Sequence, residues 1–140
     1  MILKVKKIDS DIPDPHYAHT NDAGFDLYTR ERVVLKPGER AMIPSGMQFE
    51  IPDGYVGLVW DKSGLSMKQG IKMLGGVVDA GYRGEVQIGA INLGHEEYVF
   101  EKYHKVAQML IQKVEQPVIT VVEVLADSSR GTQGFGSSGK

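Results

Sequence analysis

With 140 residues, 41% of them apolar and 24% charged, the chain has the size and composition of one globular domain with a core of its own. Its formal net charge of −2 offers no basic field to a nucleic-acid polymer, and the lack of cysteine excludes disulfides, thiolate zinc sites and a cysteine nucleophile. No apolar run is long enough to span a membrane, so no membrane partner is expected, and the alternating apolar and basic residues of Met1–Ile8 lack the apolar stretch of a signal peptide, which points to the cytoplasm.

Strand signals follow one another along the chain. Strands are expected over Leu3–Ile8, Phe25–Tyr28, Arg32–Leu35, Glu39–Pro44, Met47–Ile51, Tyr55–Trp60, Ile71–Leu74, Gly76–Asp79, Glu85–Asn92, Glu97–Phe100, Lys105–Val114 and Thr120–Glu123, the last inside the apolar-rich run Val118–Leu125. Turn signals such as Lys36-Pro37-Gly38, Pro52-Asp53-Gly54 and Asn92-Leu93-Gly94 separate them. The one helix expected is Ser63–Gln69, with Ser63 as a cap whose turn presents N–H groups to a phosphate. This pattern predicts an all-β fold, a distorted jelly-roll β-barrel. Composition turns polar and glycine-rich after Ala126, so residues 1–126 read as the β domain and 127–140 as a flexible arm closing over a site.

Four segments carry residues suited to a phosphorylated ligand. In Asp22-Ala23-Gly24-Phe25-Asp26-Leu27 two carboxylates flank a glycine, which suits a cation or a supporting role as well as a solvated loop-to-strand junction. Asp61-Lys62-Ser63-Gly64 sets a cation, a hydroxyl and a glycine in sequence, as in a phosphate pocket, without the spacing of a P-loop. In the stretch from Gly75 to Gly84, a tight glycine hairpin would expose backbone groups able to read a flat base edge. There Asp79 suits a general base for water and Tyr82 a sugar face, with an Asx turn and a core-capping tyrosine as the competing reading. From Arg130 onward, an arginine, the Phe135 ring and the hydroxyls of Ser137 and Ser138 lie among glycines, either as a solvated tail or as an arm that grips phosphates and stacks on a base. His16, His19, His95 and His104 lack the spacing of metal ligands, and no serine sits in a nucleophile elbow.

Taken in order, Asp-Ala-Gly-Phe-Asp-Leu (22–27), Lys-Ser-Gly-Leu (62–65), Gly-Val-Val-Asp-Ala-Gly-Tyr-Arg-Gly (76–84), Val-Ala-Gln-Met (106–109) and Arg-Gly-Thr-Gln-Gly-Phe-Gly-Ser-Ser-Gly (130–139) resemble the five motifs of the trimeric dUTPase family. The resemblance implies a jelly roll assembled as a homotrimer, with each active site built from three copies. It implies hydrolysis of dUTP to dUMP and diphosphate, with Mg2+ held mainly by the substrate phosphates. Such an enzyme limits uracil incorporation into DNA and supplies dUMP for dTMP synthesis. By position, Asp79 resembles the base that activates water, and Tyr82 the ring that leaves no room for a 2′-hydroxyl. Gly75, Gly76 and Val77, with the backbone near Gln87, resemble the uracil-reading site. Lys62, Ser63 and Gly64 match the second, phosphate-binding motif, Gln108 matches the fourth motif as a substrate-binding residue, and Arg130 matches the γ-phosphate clamp. Phe135 resembles the ring that closes over uracil, Gly136, Ser137 and Ser138 the phosphate lining, and Asp26 a support of the site.

Three positions depart from the family pattern. Lys62 stands where arginine is usual and lacks its bidentate fork. Gln133 replaces the first glycine of a Gly-Gly pair, and Gly81 an acidic residue. A dCTP deaminase on the same fold would carry a catalytic glutamate where this chain has Gly89. A non-catalytic nucleotide-binding or regulatory protein is the alternative from another class, and Lys62 is the residue that favours it.

Overall fold

The structure, a computed structural model, describes residues 1–134. Its strands alternate inward apolar and outward polar side chains, the period that buries one face of a sheet. In β9 (Gln87–Asn92) Ile88, Ala90 and Asn92 point inward while Gln87 faces out. In β7 (Ile71–Leu74) Ile71 and Met73 are buried, and in β5 (Met47–Glu50) Met47 and Phe49 are.

Among the described residues all pairings are antiparallel and make four small sheets around one core. β1 (Lys4–Lys7) pairs with β5, and β3 (Val33–Leu35) with β10 (Tyr98–Phe100). A four-stranded sheet runs β2 (Phe25–Tyr28), β11 (Lys105–Lys113), β6 (Tyr55–Asp61) and β8 (Val77–Val78). The last sheet runs β4 (Arg40–Pro44), β9, β7. Phe25, Leu27, Ile43, Phe49, Ile88 and Met109 are among the residues that fill the space between them, with the Phe25 and Phe49 rings 5.9 Å apart. This is the all-β, jelly-roll-like architecture that the strand pattern predicts. No helix among the described residues is long and apolar enough to cross a membrane.

Two irregularities shape the site. The register between β11 and β2 shifts between Lys105 and Ala107, a β-bulge that turns both Val106 and Ala107 into the core. Because two consecutive residues point in, Lys105 and Gln108 both remain on the side of Asp26. β2 is itself buried at all four positions, so Asp26 sits in the wall of the core and needs partners for its charge.

Three local expectations need correction. Gly75 and Gly76 do not close a hairpin, because β7 pairs with β9 and β8 with β6. The two glycines instead carry the chain from one sheet to the other. Their φ values of 69° and 105° permit the crossing, and the Gly76 carbonyl accepts the Val59 N–H at 2.8 Å. The helix α1 (Ser63–Gln69) forms where expected, but Lys62 rather than Ser63 takes the N-cap position, without a side-chain cap. The strand at Thr120–Glu123 is absent. Every residue from Gln112 to Gly134 is exposed, and this apolar run joins no sheet among the described residues.

Candidate active site

Beyond Val78 the chain leaves β6 and turns, and Asp79 is exposed at the bend. The Tyr82 N–H donates to the Asp79 carbonyl at 3.0 Å and closes the turn. Arg83 braces it from the side: Nη1 donates to the carbonyls of Ala80 (2.5 Å) and Tyr82 (3.0 Å). The Tyr82 ring folds back over Gly84, and its hydroxyl donates to the Glu85 carbonyl at 3.0 Å. A Cβ on Gly84 would overlap that hydroxyl, so the ring needs glycine beneath it. Gln87 opens β9 facing outward. Asp79, Tyr82 and Gln87, with Met42, Val77, Val78 and Val86, line a cavity of about 260 Å³. Val77 is also a wall of an adjoining cleft of about 180 Å³ that contains Gly75, Gly76, Trp60 and Lys72. The residues expected to read base and sugar and to activate water are therefore gathered around one stretch of chain.

The residues expected to bind phosphate gather at the far end of β6. Asp26 accepts hydrogen bonds from Lys62 and, at 2.6 Å, from Lys105. Burial works against its ionisation, yet the bonds from Lys105 and Lys62 hold its carboxyl below the ordinary carboxylate value. Its partnership in turn raises Lys105 above the usual lysine value. Gln108 donates from Nε2 to the Asp61 carbonyl at 2.9 Å. The Asp61 carboxylate accepts the Met73 N–H at 2.6 Å and Lys72 Nζ at 2.7 Å, tying this end of β6 to β7. Ser63 and Gly64 follow as exposed first residues of α1.

The two groups do not meet within one chain. Val78 is opposite Gly57 on β6, so Asp79 lies near Val56, and Lys62 is six residues further on, about 20 Å at the usual strand rise. Arg130 is exposed, with Nε donating to the Gln133 carbonyl at 2.9 Å, and touches neither group. Phe135, Gly136, Ser137 and Ser138 lie outside the described residues.

Comparison with known proteins decides the family. The dUTPase family model matches residues 10–139. The chain belongs to the dUTPase family. A deoxyuridine 5'-triphosphate nucleotidohydrolase of Clostridium kluyveri is 44% identical over 141 residues, covering 99% of this chain and 99% of its own. One from Streptomyces avermitilis is 44% identical over 138 residues, covering 96% of this chain and 79% of its own. The dUTPase of Staphylococcus bacteriophage 80alpha, solved as a mutant with dUpNHpp, has a TM-score of 0.91 at 32% identity and covers 99% of both chains. The dUTPase of phage phi11 of S. aureus, a mutant solved with a structural Mg(II) ion, has a TM-score of 0.83 at 29% identity, covering 89% of this chain and 98% of its own. As a dUTPase, the chain is an enzyme of nucleotide metabolism, a dUTP nucleotidohydrolase.

The donor chemistry of the dUTPase site bears on the metal. Among the described residues, no group of three or more His, Cys, Asp or Glu side chains is placed to hold an ion. Mg2+ is ordinarily bound through one or two carboxylates plus substrate phosphates, with water completing the shell. An exposed Asp79 beside a cavity fits a metal that arrives with a triphosphate.

Sequence reading gives no role to Lys105, Asp61, Arg83, Arg30 and Glu85, although Asp61 and Arg83 lie inside segments that it singles out. Lys105 had a usable signal, since it directly precedes the Val-Ala-Gln-Met motif. Arg30 and Glu85 had none, because they meet only across the fold.

Proposed function

We propose that the protein hydrolyses dUTP to dUMP and diphosphate in a homotrimer whose sites are shared between copies. The observation that carries this reading is the placement of Asp79 at the lip of a cavity walled by Tyr82 and Gln87, with the cationic Lys62–Asp26–Lys105 group about 20 Å away, beyond the far end of β6. A nucleotide gripped at both ends needs its phosphate-binding groups closer to Asp79 than one copy supplies. A neighbouring copy brings them there. The exposed run from Val118 to Leu125, with Val121 95% exposed, supports the same assembly, because a stable chain covers such a run with a partner.

In this reading Asp79 takes a proton at its carboxylate from the attacking water. The oxygen adds to the α-phosphorus and the bond to the bridging oxygen of the leaving diphosphate breaks. Bound Mg2+ neutralises phosphate charge. Gly75, Gly76, Val77 and Gln87 take the base, Tyr82 packs on the sugar, and Lys62, Ser63, Gly64 and Gln108 hold phosphates. Asp26 keeps Lys62 in place. Arg130, Phe135, Gly136, Ser137 and Ser138 form an arm, residues 127–140, that closes over the domain of residues 1–126 and excludes water. The activity would limit uracil incorporation into DNA and supply dUMP for dTMP synthesis, on a cytoplasmic nucleotide pool.

The deaminase alternative lacks its catalytic group: the position expected to carry the glutamate is Gly89, and a Cβ added there would stand 2.9 Å from the Leu74 carbonyl oxygen, so the backbone would have to shift. The deciding experiment is diphosphate release from dUTP with Mg2+, beside dCTP, dTTP and UTP, and again after chelation. Rapid release from dUTP alone, abolished by chelation, is the expected result. Nucleotide binding without release would favour the regulatory reading.

A further inference from the structure

Glu85 follows the third motif and stands behind the cavity rather than in it. Its side chain is 15% exposed. The carboxylate accepts Arg30 Nε at 2.8 Å, Arg30 Nη2 at 3.4 Å and the Gly46 N–H at 2.8 Å. Its carbonyl receives the Tyr82 hydroxyl. One residue thus holds a polar wall of the cavity, Tyr82, through its main chain while its side chain is tied to the frame.

The anchors belong to the rigid frame. The Arg30 N–H donates to the Pro44 carbonyl at 3.0 Å, just beyond β2. Gly46 lies in the turn between β4 and β5 at φ 68°, where a Cβ would come within 2.9 Å of buried Ile12. Tyr82, by contrast, is 46% exposed and rides on a turn. A ring rejects a sugar hydroxyl only as far as it resists being pushed aside, and sub-ångström displacements matter at such a wall. The Arg30–Glu85 clamp is the connection that transmits the stiffness of the frame to that ring.

We propose that Glu85, clamped by Arg30, is the positioning residue that fixes Tyr82 and thereby sets how strongly the site rejects ribose; this rests on the dUTP reading above. The test compares specificity constants for dUTP and UTP in the wild type, Glu85→Ala, Glu85→Gln, Arg30→Ala and the Glu85→Ala/Arg30→Ala double variant. The dUTP-to-UTP ratio should fall about tenfold in either alanine variant, with kcat for dUTP kept within about threefold. The double variant should fall no further, because both changes open one clamp. Glu85→Gln, which keeps the shape and one acceptor, should fall between. An unchanged ratio in variants that lose only thermal stability overturns the proposal. If an alanine variant does not fold, Glu85→Gln and Arg30→Lys decide by the same ratio. A wild type that leaves dUTP intact brings down the dUTP reading and the clamp with it, whereas an active wild type with unmoved ratios in the variants brings down the clamp alone.

Discussion

Asp79 and Gly76 show how single residues divide the work of the site. Asp79 is exposed and its backbone, not its carboxylate, makes the turn, so Asp79→Asn should leave the fold intact. Turnover of dUTP should drop by roughly 10²–10⁴ while the variant still binds the nucleotide, as measured by single-turnover kinetics beside equilibrium binding. Near-normal turnover would make Asp79 structural. The two glycines beside it are not equivalent. A Cβ at Gly75 meets open space, so Gly75→Asn, which tolerates the left-handed conformation, should change stability by less than about 1 kcal/mol. A Cβ at Gly76 would lie 2.6 Å from the Val59 carbonyl oxygen at φ 105°, and backbone cannot yield there as a flexible side chain does. Gly76→Ala should therefore destabilise by about 2 kcal/mol in denaturant titration and weaken dUTP binding besides. Equal effects at the two positions would contradict this account.

At the scale of elements, the bulge in β11 matters most, because it sets Lys105 beside Asp26 and gives a buried carboxylate two cations. The folded state holds Asp26 below its ordinary value of 3.8, so its ionised form stabilises the fold at pH values above 3.8. That stability is lost as pH falls through the lowered value. Lys105 is raised above 10.5, so its contribution is present below 10.5 and is lost as pH rises past the raised value. Asp26→Asn should cost about 2 kcal/mol at neutral pH, and the gap to wild type should close below pH 3.8 when unfolding is followed across acid conditions. A gap that persists there would assign the effect to packing rather than charge. Alternation of apolar and polar residues made β5, β7 and β9 legible in the sequence, and Ser63–Gln69 was legible as a helix. The bulge was not, because Val106 and Ala107 are both apolar and either fits an inward position. Nor was the sheet crossing at Gly75-Gly76, since a glycine pair fits a hairpin equally well until the partners of the flanking strands are known. The ordered motifs made Asp79, Tyr82 and Lys62 legible as candidates. The clamp of Arg30 on Glu85 escaped, because residues 55 positions apart share no local pattern.

Across the whole molecule, the separation of Asp79 from Lys62 and the exposure of Val118–Leu125 are the two features that the proposed shared-site assembly accounts for. Sedimentation should find a homotrimer, and Val121→Asp with Val124→Asp should dissociate it while leaving the β core folded. A stable monomer that still turned over dUTP would defeat the shared-site reading. The arm offers a sharper test of the same idea. Deleting 131–140 removes no buried residue among those described, so the trimer should persist while activity collapses with the loss of Phe135 and the phosphate-lining residues. Asp79→Asn copies are inactive for a different reason and retain their arms. Mixed trimers of the two inactive proteins, formed by co-expression, should regain activity. If a site takes Asp79 from one copy and the arm from another, random mixing leaves about a quarter of the sites with both working parts, because each is drawn from an equal mixture of two kinds of copy. If one copy supplied both parts, no mixture could restore a complete site. Activity near a quarter of the wild-type level, measured as diphosphate release per site, is the expected outcome, and activity no higher than that of the separate variants would place base and arm in the same chain.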